Sequence, residues 1–143
     1  AHFYDTYECK DGKYIAVACI EDKFYKEMLD KLEITDEKFS KQFSKDIWPE
    51  LKSQLGEKFL LKSRDEWAMI FKNSDACITP ILDLDEAPKH EHNISRSTFI
   101  ERDGVVQPNP SPRFSETPLE IKSSPKKIGE DNVLISEKYN INL

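Results

Sequence analysis

The sequence predicts an α+β fold: a small antiparallel sheet with several helices, followed by a proline-rich, extended C-terminal segment. Three observations carry that expectation. Residues 3–9 and 13–19 are rich in aromatic and β-branched side chains and flank Asp11-Gly12, a dipeptide suited to the positive φ of a hairpin turn. From Glu21 onward the apolar spacing becomes helical. Beyond Gln107, five prolines from Pro108 to Pro125 remove backbone donors and force extended or turn geometry.

The first helix follows the hairpin directly, with Phe24, Met28, Leu29 and Leu32 on one apolar face. Asp46 is the expected cap of a second helix, whose first turn accepts Pro49 because the missing N–H has no helical partner there. Trp48, Leu51, Leu55 and Phe59 form its buried stripe. Ser63 and Glu66 have capping-box spacing and open a third helix carrying Trp67, Ile70 and Phe71. These aromatics fall at core spacing and read as packing groups rather than a platform for stacked bases.

Residues 76–82 form a short apolar run interrupted by Pro80, which suits an edge strand. Asp83 is expected to start a short helix that stops before Pro88. Asp103-Gly104 marks a second hairpin between residues 97–101 and 105–107. The packed domain is therefore assigned to residues 1–107 and the extended segment to residues 108–143. Phe114, Leu119, Ile121, Val133, Leu134, Ile135 and Tyr139 give that segment enough apolar side chains to dock on another surface.

The formal net charge of −6 disfavours a nucleic-acid partner. Cys9, Cys19 and Cys77 form neither a CxxC pair nor a disulfide framework, which points to a reducing compartment. No apolar run is long enough to span a membrane, and the N-terminal residues lack signal-peptide character. The C-terminal Ile-Asn-Leu is not a Ser-Lys-Leu address, so the expected location is cytoplasmic.

His90 and His92, at i, i+2 spacing, face opposite ways if extended and lack a third nearby ligand, so no metal site is expected. Cys77, between Ala76 and Ile78, reads as ordinarily buried rather than nucleophilic. Glu21 reads locally as a helix-start acid favoured by the macrodipole. Arg96 reads as one member of an exposed ion pair or as the partner of an anionic group. The isolated glycines form no phosphate-cradling loop, and Lys126-Lys127 is a weak phosphate candidate.

Four segments in order, FYDTYECKDGKYIAVACIE from residue 3, DIWPELKSQL from residue 46, RDEWAMIFKNSDACITPIL from residue 64 and HEHNISRSTF from residue 90, resemble the C-terminal part of an α-methylacyl-CoA racemase. These racemases are a branch of the family III CoA-transferase (CaiB/BaiF-type) fold. The resemblance continues through Pro112-Arg113-Phe114-Ser115 to Ile128-Gly129-Glu130, which resembles the start of the family's closing helix. It implies a small domain followed by a return to a Rossmann-like large domain that this stretch does not contain. It implies acyl-CoA as substrate, no separate cofactor, and interlocked homodimers in which one subunit's small domain faces the other's large domain.

The family's catalytic His and Asp belong to the N-terminal portion, so the resemblance implies that this chain alone is inactive. Glu21 matches the family's Glu after the second strand and would face the partner's acyl pocket, although Asp22-Lys23 stands where the family often has Pro-Gln. His92 and Asn93 match the family's HxHN segment, expected as a loop after the short helix; they satisfy backbone groups or, with Arg96, lie near substrate. Two other readings remain beside the racemase: a CoA-transferase fragment of the same family, and a non-catalytic interaction or dimerisation module.

Overall fold

The computed structural model describes residues 1–142. They gather into two units, Ala1–Leu82 and a second that begins at Asp83. Together they form an α+β arrangement of helices and two small antiparallel sheets.

In the first unit, β1 (Tyr4–Glu8) and β2 (Tyr14–Ala18) pair antiparallel with Thr6 opposite Ala16. Gly12 turns the chain at φ 74°, where a β-carbon would be strained. β3 (Ile78–Pro80) lies on the other side of β2, so Pro80 occupies an edge strand, as its missing donor requires. Ile15, Val17 and Cys19 alternate into the core, the period-two pattern of a strand with one covered face.

Helix α1 (Asp22–Lys31) follows, and its buried line is Tyr25, Met28 and then Leu32. Phe24 and Leu29, expected on that face, are half-buried and pack against the core. Two 3₁₀ turns, Glu37–Lys41 and Lys45–Ile47, lead to α2 (Trp48–Phe59). Asp46 does not cap α2: it lies inside the second turn, and the residue before the helix is Ile47. Trp48 Nε1 donates to Gln42 O at 2.8 Å, which ties the helix start to the end of the first 3₁₀ turn.

Leu51, Leu55 and Phe59 are fully buried, each worth about 1.5–3 kcal/mol relative to exposure. Trp67 of α3 (Arg64–Phe71) packs edge-on against Phe59 and donates to its carbonyl at 2.8 Å, so its indole N–H is satisfied inside the core. The capping box is present: Ser63 Oγ accepts from Glu66 N, and the Glu66 carboxylate accepts from Ser63 N at 2.8 Å. Arg64 is a buried cation that sequence reading left unremarked. Its Nη1 donates to Ile81 O at 2.8 Å, its Nη2 pairs with Asp65 at 2.8 Å, and its own N–H donates to Asp11.

The second unit holds a 3₁₀ turn (Ala87–Lys89), α4 (Glu91–Ser95), a hairpin of β4 (Phe99–Arg102) and β5 (Val105–Pro108), and α5 (Asn132–Tyr139). Asp103 and Gly104 both adopt positive φ, 50° and 78°, as a two-residue hairpin turn requires. Two expectations change here. Asp83 accepts from the N–H groups of Asp85 and Glu86 but opens no helix that stops before Pro88; Pro88 lies within the 3₁₀ turn, where its lack of a donor is harmless. The His90–Asn93 stretch is not a loop either, because His90 caps α4 and accepts from His92 N at 3.3 Å.

Every buried residue among those described lies between His2 and Ile78. The second unit therefore carries Leu84, Ile94, Phe114, Leu119, Leu134 and Tyr139 exposed, with no core of its own among the described residues. Arg102 clasps part of the irregular stretch onto the hairpin, donating from Nε to Ser124 Oγ at 3.2 Å and from Nη1 to Ile121 O.

Candidate functional site

Glu21 sits at the junction where β2 has ended and α1 begins. Its backbone is extended (φ −75°, ψ 143°), and its carbonyl accepts the first helical N–H, that of Tyr25, at 3.0 Å. Its carboxylate makes no capping bond to the helix and is exposed. The helix dipole acts on such a charge without a hydrogen bond, so this geometry is compatible with a helix-start acid as well as with a carboxylate facing another group.

The approach to Glu21 is held by a group that sequence reading missed. Gln42, almost wholly buried, donates from Nε2 to Cys19 O and to Ile20 O, both at 3.0 Å. One amide thereby satisfies two consecutive carbonyls and fixes the bend that delivers Glu21. A lone Gln between two 3₁₀ turns has no sequence signature for that role. Cys19 strengthens the same corner, donating Sγ–H to Ala76 O at 2.6 Å; burial pushes its thiol up to about 12.

Cys77 corrects the expectation of burial. It is exposed, with φ 51°, while Ala76 and Ile78 on either side are buried. Its left-handed backbone, just ahead of β3, leaves its side chain outside while its two neighbours point inward. Desolvation and the negative charges of Glu21, Asp75 and Glu27 raise its thiol above the ordinary value against the opposing effect of Lys23. The thiol stays protonated at neutral pH, which makes it a poor nucleophile despite its exposure.

In the second unit, α4 and its C-cap bring His92, Asn93 and Arg96 together. Asn93 is committed to structure, its Nδ2 donating to Ala87 O at 2.8 Å while its carbonyl accepts from Thr98 N at 2.9 Å. The His92 ring is exposed, and its carbonyl receives Arg96 N at 3.1 Å and Ser95 Oγ at 2.9 Å. The Arg96 backbone carbonyl accepts from the Arg113 guanidinium, and the Arg96 side chain is exposed. Among the described residues no group of three or more His, Cys, Asp or Glu side chains is placed to hold a metal. No helix among them is long and apolar enough to cross a membrane.

Comparison with known proteins supplies the family. The sequence profile of CoA-transferase family III matches residues 1–132. The chain is 38% identical over 142 residues to the alpha-methylacyl-CoA racemase of Mus musculus, covering 97% of this chain and 37% of that protein. It is 37% identical to the alpha-methylacyl-CoA racemase of Homo sapiens with the same coverage. The crystal structure of Rv3272 from Mycobacterium tuberculosis superposes with a TM-score of 0.70 at 16% identity, over 92% of this chain and 38% of that one, a likeness of fold. The chain spans little more than a third of the length of the relatives it matches.

Proposed function

The chain belongs to CoA-transferase family III, and on that premise we propose that it is the C-terminal portion of a racemase that inverts the α-carbon of 2-methylacyl-CoA thioesters. The observation that carries the reading is the 37–38% identity to two alpha-methylacyl-CoA racemases along nearly the whole chain. On this reading residues 1–107 are the small domain, and residues 108–143 return to a large domain supplied by the rest of the polypeptide. The exposed apolar side chains of the second unit support such docking, since they need a covering surface.

The reaction is a proton exchange with no net change in atoms. A base takes the proton from the α-carbon, the C–H electron pair passes into an enolate whose charge rests on the thioester oxygen, and an acid on the opposite face returns a proton to the same carbon. The base and acid belong to the N-terminal portion; this chain contributes one wall of the cleft across an interlocked dimer. Glu21 is a positioning residue there, its free carboxylate biasing the protonation of the neighbouring acid/base pair. His92 and Arg96 lie toward the acyl-CoA, while Asn93 holds α4 in place. The chemistry calls for no resident cofactor, and a cytoplasmic enzyme fits the free thiols.

The test combines the chain with the N-terminal portion of the same enzyme and follows deuterium loss from an α-labelled 2-methylacyl-CoA. Glu21→Gln is expected to lower the exchange rate at least about tenfold, roughly 1.4 kcal/mol of transition-state stabilisation, with a shifted pH profile and little change in KM. An unchanged rate and profile would remove Glu21 from the site. Transfer of CoA to a free carboxylate without α-proton exchange would overturn the racemase reading.

A further inference from the structure

Between β2 and α1 the chain leaves the sheet, and its carbonyls lose their ladder partners before the helix begins. The last pairing of β2 with β1 is Ala18 opposite Tyr4, and the last with β3 is Val17 opposite Ile78. Cys19 O and Ile20 O lie beyond both, and the Gln42 amide stands in for the missing strand, donating to each at 3.0 Å. Gln42 is one of three polar or charged side chains buried among the described residues, beside His2 and Arg64. It is held in turn: Trp48 Nε1 donates to its carbonyl at 2.8 Å, the Trp48 ring packs edge-on against Phe3 at 5.7 Å, and Phe3 O accepts from Cys19 N at 2.9 Å. These contacts close on themselves, running from Gln42 to Cys19, Phe3, Trp48 and back to Gln42. Glu21 leaves that ring by way of Ile20, so the ring decides where its carboxylate stands.

We infer that Gln42 is a positioning residue that acts through Glu21. What Glu21 then does rests on the proposed function; how it is held rests on these hydrogen bonds alone. A Gln amide nitrogen carries two N–H donors, and here each has one carbonyl, so the group is fully used by the bend. A side chain of similar volume without donors would fill the space and leave both carbonyls unpartnered, and the chain relieves such a loss by turning them toward water. That turn carries Glu21 with it. A displacement of about 1 Å at a reacting group costs up to about a hundredfold in rate, so a residue that never touches substrate can govern the rate through the one it places. The segment between α1 and α2 therefore does more than connect. Its first 3₁₀ turn buries Phe39 in the core, and Gln42 is seated as the C-cap of that turn.

The test has two arms. In the first, ¹⁵N relaxation of the full chain reads the order of the Ile20, Glu21 and Asp22 amides in the parent, Gln42→Leu and Gln42→Glu. Gln42→Leu should lower the order parameters there from about 0.85 toward about 0.6, while the strand amides of Ile15 and Val17 keep their parent values. Gln42→Glu should loosen the bend when ionised and restore it as pH falls from about 8 to about 6, because a buried carboxyl titrates high and regains one donor on protonation. Gln42→Leu should show no such recovery. In the second arm the chain is combined with the N-terminal portion and deuterium loss from α-labelled 2-methylacyl-CoA is followed. Gln42→Leu should lower the exchange rate about tenfold with KM little changed, and should add nothing in a Glu21→Gln background. Unchanged order at all three amides, or rate effects of the two substitutions that multiply independently, overturns the inference. A loosened bend beside a Glu21→Gln enzyme that exchanges as the parent does upholds the grip of Gln42 and removes Glu21 from the reaction, so the two failures are told apart.

Discussion

His2 gives this fold a measurable dependence on pH. Its side chain is fully buried, with Nε2 2.8 Å from the Tyr25 hydroxyl and the rings of Phe3, Tyr25 and Phe39 packed edge-on at 5.1, 5.6 and 5.9 Å. Among the described residues its Nδ1 has no hydrogen-bond partner. Burial, aided by the Ala1 ammonium, lowers the imidazole from 6.5 to about 4. The folded state thus resists protonation while the unfolded chain accepts it. Stability from this group is complete above about pH 6.5 and is lost as pH falls toward about 4. The gap is worth about 3 kcal/mol when fully titrated, and about 2 kcal/mol of it disappears between about pH 7 and pH 5. Urea unfolding at those two values, for the parent and for His2→Leu, separates this contribution from the carboxylates, which titrate in both. The parent should lose about 2 kcal/mol more than the variant over that interval. Equal losses would mean that His2 is not held neutral by burial and would refute the reasoning.

Three further outcomes follow from the same packing. Leu55→Ala should cost about 2–5 kcal/mol in urea unfolding, because a fully buried side chain of α2 is removed from the core. Arg64→Met should cost about 2–3 kcal/mol, since it orphans the carbonyl of Ile81 while retaining most of the buried volume, and amide exchange near residue 81 should accelerate. A thiol alkylator should modify one cysteine, Cys77, in the native chain and all three after unfolding, as read by intact mass. That labelling should speed up as pH rises, because the Cys77 thiol is held above its usual value.

Much of the fold is written locally. Asp11-Gly12 and Asp103-Gly104 mark their turns because the backbone there needs positive φ, and Ser63 with Glu66 marks a helix start because orphan N–H groups need acceptors. The stripe Leu51, Leu55 and Phe59 declares α2 by its period. What escaped reading depends on partners distant in sequence. Arg64 is buried because Ile81 and Asp11 receive its donors, and Gln42 matters because two carbonyls at residues 19 and 20 converge on its amide. Cys77 escaped because its apolar neighbours suggest burial, whereas the left-handed backbone it adopts ahead of β3 turns it outward. Asp46 fails as a cap for a subtler reason: the 3₁₀ turn runs into α2 without a break, so Asp46 is already inside helical backbone. Among the candidate site residues, the position of Glu21 after β2 was readable, whereas the commitment of Asn93 to Ala87 O appears only when the chain is folded.

The claim on which the functional account stands is that this chain supplies one wall of a racemase whose acid/base pair lies on the remaining polypeptide. The direct measurement is α-deuterium exchange from labelled 2-methylacyl-CoA, recorded for the purified chain alone and for the same chain mixed with the N-terminal portion. The account predicts no exchange above the uncatalysed rate for the chain alone and exchange with inversion for the mixture. Exchange catalysed by the chain alone, or none from a mixture that assembles, contradicts it.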